Sequence, residues 1–141
     1  GRMRTVPLLE VEGDYGDYRE LFEAAASVGV RLGWLEWDPT RVEPAPEPPR
    51  RVVVTGSSTR VEIARRGAPV LKDVIRSSLL GCDAVLVAGA VGAPRLGRTA
   101  AGYRVTAADQ APVDYTTSAL LDALRRPSVV RHRWQRGPKG E

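Results

Sequence analysis

Asparagine is absent from this sequence, glutamine occurs twice, and cysteine, histidine, methionine and phenylalanine occur once each. The lone thiol, Cys82, excludes an internal disulfide and any zinc site built from several thiolates. The lone imidazole, His132, lies in RHRW, where flanking arginines oppose its protonation. Nucleophilic catalysis by serine or cysteine needs a base beside the nucleophile, so no self-contained catalytic set is expected. Cys82 sits between Gly81 and an apolar run, the place of an inert core thiol.

Long apolar runs are missing as well. None approaches the ~18 residues of a membrane span, and the first residues lack the charged, apolar and small-residue regions of a signal peptide. The expectation is a cytoplasmic protein with no membrane partner. Gly1 and Arg2 precede the only methionine, Met3.

What is present is ordinary globular material. The 141 residues, 43% hydrophobic and 27% charged, suit one domain with its own core. Nineteen arginines stand against two lysines, Lys72 and Lys139. With scarce Asn and Gln and a proline-rich connection, this points to a heat-tolerant, GC-rich bacterial source. Charge is split: residues 1–49 hold five arginines against ten carboxylates, and residues 50–141 hold sixteen basic residues against seven. Two such regions can attract each other within a fold or between subunits, so the net charge of +4 alone says little about nucleic acid.

Residues 5–12 (TVPLLEVE) read as a first strand, with Pro7 near its start. In the next segment Asp17 can cap a helix with Glu20 three residues on, and Tyr18, Leu21, Phe22, Ala25 and Val28 keep helical spacing up to Gly29. Residues 30–38 alternate as a second strand. Five prolines in residues 39–49 (PTRVEPAPEPP) then rule out helix and ladder alike and make a stiff internal linker.

Residues 51–55 (RVVVT) read as a strand. The stretch after TGSST supports two readings: a strand with Val61 and Ile63 inward after a Gly56-Ser57 turn, or a helix capped by the T-x-x-E of Thr59 and Glu62. Its β-branched content favours the strand. Residues 69–79 form a helix with Pro69 in its first turn and Gly81 beyond its end. Residues 83–92 (DAVLVAGAVG) suit a strand buried on both faces at the sheet centre. A loop with another strand or half a hairpin occupies 95–107, and 116–126 is a third helix capped by Thr116 or Thr117.

Two β-α-β halves in sequence predict a mixed α/β domain, residues 1–127, as a ferredoxin-like split β-α-β sandwich with an extra C-terminal strand and helix. The alternative, tied to a helix at Thr59, is a small doubly wound, Rossmann-like sheet. Residues 128–141 form a basic tail.

Candidate sites follow from residue type. Glu10, Glu12, Asp14, Asp17 and Glu20 bunch near the first helix, where its positive dipole end attracts acids; no calcium-loop spacing accompanies them, and no metal or cofactor is expected. Gly56, Ser57, Ser58, Thr59 and Arg60 are an anion-binding candidate if residues 59–66 are helical, since a phosphate loop needs free amides at a helix start. AGAVGAP at 88–94 lacks the spacing of a dinucleotide loop. Arg131, Arg133, Trp134 and Arg136 combine phosphate-neutralising charge with a stacking ring, as a nucleic-acid-binding tail would. Trp34 and Trp37, three apart on a strand, must point to opposite faces, and one is left for an interface unless something covers it.

These observations lead to a non-enzymatic binding or assembly module, a homodimer joined through an open sheet edge or the tryptophan face. The rival readings are nucleic-acid binding through the tail and a nucleotide or phosphometabolite enzyme using the 55–59 loop.

Overall fold

Pro7, fully buried ahead of the first strand, opens a chain whose apolar segments alternate between strand and helix. The computed structural model describes residues 6–126; the tail residues Arg131, His132, Arg133, Trp134 and Arg136 lie outside them. Eight strands and three helices follow in order: β1 (Leu8–Val11), a 3-10 turn (Tyr15–Tyr18), α1 (Arg19–Ser27), β2 (Leu32–Glu36), β3 (Arg50–Val54), β4 (Thr59–Ile63), α2 (Leu71–Ser78), β5 (Ala84–Ala88), β6 (Arg95–Arg98), β7 (Tyr103–Thr106), β8 (Val113–Tyr115) and α3 (Thr117–Arg125).

Among the described residues six strands form one sheet in the order β2-β5-β1-β6-β7-β8, and β3 and β4 pair only with each other. The pairs β1–β5, β2–β5 and β1–β6 are parallel; β6–β7 and β7–β8 are antiparallel. The chain is therefore a mixed α/β domain with a mostly parallel sheet, Rossmann-like in plan, and the doubly wound alternative describes it. The split β-α-β sandwich does not. Its antiparallel order is defeated by β5, whose Ala84, Val85, Leu86 and Val87 are all fully buried. A strand apolar on both sides is satisfied only between two other strands with cover on both faces, which parallel insertion between β2 and β1 supplies.

Residues 59–63 are a strand, as their β-branched content favours, but this strand does not bring the sandwich with it. Arg51, Arg60 and Glu62 interleave with the valines of β3 and β4, so the hairpin has no second apolar face to offer and stands outside the main sheet.

One face of the sheet packs under α1 and α3, where Leu9, Val11, Leu21, Leu86, Leu120 and Leu124 make the larger cluster. Burying side chains of this size contributes about 1.5–3 kcal/mol each. The other face carries Val6, Val85, Val87 and Val91 under Leu71 and Ile75 of α2 and Leu79 just after it. Caps follow the sequence: Gly29 adopts φ +75° just after α1, and Thr116 Oγ1 accepts the Ala119 amide at 3.1 Å. Asp17, expected to cap α1, instead sits within the preceding turn, where its carboxylate accepts the Asp14 amide at 2.9 Å.

Candidate functional site

The carboxyl ends of β1 and β5 open into a cleft of about 720 Å³, walled on its far side by β6 and β7. Strand β1 stops at Val11 while β6 runs on to Arg98, so the sheet has a notch where the two separate. In open α/β sheets this is where ligands bind, outside the carboxyl ends of the strands.

Glu10 builds the rear of the notch. Its side chain lies on the α2 face, opposite to its buried neighbours Leu9 and Val11, and Oε2 accepts the amides of Val91 and Ala93, both at 2.9 Å. The loop between β5 and β6 is thereby fixed to β1. Gly89, which starts that loop at φ +151°, lies so close to Trp37 that a Cβ would overlap the Trp37 carbonyl oxygen.

Tyr18 closes the side of the notch, its hydroxyl donating to the Glu12 carbonyl at 3.1 Å. Burial pushes the phenols of Tyr18 and Tyr103 above the usual tyrosine range; Asp17 adds to the rise at Tyr18, and Arg98 opposes it at both.

Three arginines line the opposite wall. Arg104 is tied to Asp114 by Nε at 2.6 Å and Nη2 at 3.1 Å, a bidentate pair across β7 and β8 that holds the Asp114 carboxyl below the usual range. Arg95 and Arg98 differ. Arg95 approaches Glu12 only to 3.9 Å and Arg98 approaches Asp17 only to 4.0 Å, both beyond hydrogen-bonding distance.

The candidates drawn from sequence fall elsewhere. Gly56, Ser57, Ser58, Thr59 and Arg60 form the tip of the β3–β4 hairpin and the start of β4. Thr55 Oγ1 accepts the amides of Ser57 and Ser58, each at 3.2 Å, and no helix begins there, so the condition attached to an anion pocket at this loop is not met. Trp34 and Trp37 do point to opposite faces. Trp34 packs edge-on to Tyr15 and Phe22, with ring centroids 5.8 and 6.3 Å away, and its Nε1 donates to Glu36 at 3.0 Å. Trp37 packs on the cluster under α2, beside which Cys82 also lies. Both tryptophans are half-buried against their own chain, and β2, which carries Trp34, is an outer strand of the sheet.

Arg95, Arg98 and Arg104 carry no local signal in the sequence. The available signal was positional: Glu12 and Gly89 directly follow the two parallel strands, and what faces them across the sheet edge is set by the insertion of β5, not by local spacing.

A second feature concerns the region between β2 and β5. From Trp34 to Asp83 no residue is fully buried. The register of the hairpin, Val52 opposite Val61, Val54 opposite Thr59 and Arg50 opposite Ile63, gathers its apolar side chains on one face. There Val52 is 58% exposed, Val61 57%, Val54 71% and Ile63 47%. Val70 and Leu80 at either end of α2 are exposed too.

No family model and no curated protein matches the sequence. Among solved structures, the crystal structure of a MobB protein homolog from Bacillus stearothermophilus aligns at 21% identity with a TM-score of 0.45, over 62% of this chain and 60% of that one. The present chain thus spans less than two thirds of that protein.

Proposed function

We propose that this protein is a non-enzymatic assembly module that forms a homodimer through the β3–β4 hairpin. The observation that carries the reading is the run of residues 34–83 without a fully buried side chain, within which the hairpin presents four apolar residues to solvent on one face. A two-stranded hairpin is at best marginally stable alone, and helix-covered parallel sheets bury both faces. Apolar faces of this kind mark contact surfaces.

A second copy of the chain suits this surface because its apolar residues are arranged about one cross-strand pair. The exposed apolar side chains of the hairpin flank the Val52–Val61 pair, so a two-fold axis through that pair stacks like on like.

Hydrogen exchange read at several protein concentrations tests the reading. The hairpin amides are expected to exchange slowly at high concentration and faster on dilution, and Val61→Asp should abolish that dependence while β5 keeps its protection. Hairpin exchange independent of concentration would remove the proposal.

A further inference from the structure

We infer that the outer edge of β2, with the apolar groove between β2 and α1, is the docking site of residues 128–134 of the same chain, added as a parallel strand. The site involves other residues than the hairpin dimer and does not depend on it.

The edge is open. Strand β2 pairs on one side with β5 and has no strand on its other side among the described residues. The Arg31 carbonyl accepts the Asp83 amide at 2.7 Å and the Trp37 amide donates to the Ala88 carbonyl at 2.9 Å, so the odd-numbered residues turn their backbone groups toward β5. Leu32, Trp34 and Glu36 therefore turn theirs outward, and among the described residues nothing bonds them. The segment LGWLE holds no proline, lysine or arginine, the usual guards of an exposed edge. Beside it lies a groove of about 600 Å³, lined mainly by Tyr15, Phe22, Ala26, Val30 and Leu32. Val28, next to this lining, is 49% exposed.

The path of the chain selects the occupant. Helix α3 ends at Arg125, whose guanidinium donates to the Val28 carbonyl, four residues ahead of the start of β2. The chain thus leaves α3 within one arginine side chain's reach of the amino end of the open edge. Strand β8 runs in the same direction as β2, because each is related to β1 by parallel pairs or by two antiparallel steps. A crossover from β8 through α3 to the β2 edge traverses the sheet in the same sense as β1-α1-β2, with its helix on the same face. It therefore has the hand that parallel connections take.

Length and pattern agree. Residues 128–134 (SVVRHRW) span about 23 Å when extended, against about 17 Å for the five residues of β2. Alternation sets Val130, His132 and Trp134 on one side and Arg131 and Arg133 on the other. With Val130 and Trp134 toward the groove, its apolar lining is covered, and the new outer strand carries the arginines that β2 lacks. Docking thus closes the sheet against strand addition by another chain.

Amide hydrogen exchange on the full chain, resolved by residue and read at several protein concentrations, tests the inference. Leu32, Trp34 and Glu36 are expected to exchange slowly, with rates independent of concentration. The double variant Arg131→Pro, Arg133→Pro and the double variant Val130→Pro, His132→Pro each remove donors from one side of the docked segment and break its extended pairing. Each should speed exchange at the three outward amides roughly tenfold or more, while Gly33 and Leu35, which bond β5, stay slow. Fast exchange at Leu32, Trp34 and Glu36 in the wild type overturns the inference. Slow exchange that survives both proline variants overturns it too, since something else then covers the edge, and slowing that grows with concentration assigns the edge to a second copy instead. Val61→Asp, which breaks the hairpin dimer, should leave the three amides slow, so the two proposals fail separately.

Discussion

The carboxylate of Glu10 on β1 accepts the amide of Val91, 81 residues later in the chain, at 2.9 Å, and the same oxygen takes Ala93. One side chain therefore joins β1 to the loop that carries the chain from β5 across to β6. Charge-assisted hydrogen bonds of this kind contribute about 1.5–3 kcal/mol each, and an amide left without its partner costs more than the bond itself was worth. Glu10→Ala is expected to lower stability by about 2–4 kcal/mol in urea unfolding. Glu10→Gln, which keeps one carbonyl oxygen, should lose less than half of that. Equal losses in the two variants would show that the side chain serves by packing and not by accepting the amides.

Gly89 makes the same loop possible from the backbone side. Its φ of +151° is rare for residues with a side chain, and a Cβ there would overlap the Trp37 carbonyl. Gly89→Ala is expected to destabilise by about 1–3 kcal/mol, whereas Gly56→Ala, with open space around it in the hairpin tip, should cost less. Chemical denaturation of both variants checks the ranking.

The Arg104–Asp114 pair sets a pH dependence whose sign can be worked out. The Asp114 carboxyl is held low, first by the hydrogen bond from Arg104, while Arg104 itself is raised and stays charged throughout. A carboxyl depressed in the folded state contributes stability above its unfolded pKa of ~3.9 and loses it as pH falls through the folded value. Wild type should therefore exceed Asp114→Asn in stability at neutral pH, with the gap closing in acid and shrinking in high salt. A gap that persists below the titration of Asp114 contradicts this assignment.

Burial separates two kinds of apolar side chain. Leu86 is fully enclosed, and Leu86→Ala should cost about 2–5 kcal/mol irrespective of protein concentration. Val61 lies on the exposed face of the hairpin, and Val61→Asp should lower the melting temperature only at concentrations where the wild type is dimeric, since subunit association stabilises by mass action. Thermal scans of both variants across a concentration series distinguish the two.

Local patterns carried much of the secondary structure. The run AVLVA announced β5 as a strand buried on both faces because no residue in it tolerates water, though it lies second from the sheet edge and not at the centre, and Thr116 and Gly29 marked helix ends by their chemistry. Strand β8, only Val113–Tyr115, was not legible, because three residues are too few to show a period. Sheet order was not legible either: the strand character of residues 59–63 was correct, yet whether a hairpin joins the main sheet depends on long-range competition for edges. The arginine wall escaped notice for a related reason. Arg95 and Arg98 look like any two of nineteen arginines until the parallel pairing of β6 with β1 sets them across from Glu12 and Gly89.

The most direct test of the dimer is sedimentation equilibrium of the full chain over a wide range of concentration. The account predicts a mass twice that of one chain at high concentration, falling toward one on dilution, with Val52→Asp single at every loading. A single-chain mass for the wild type throughout would contradict it.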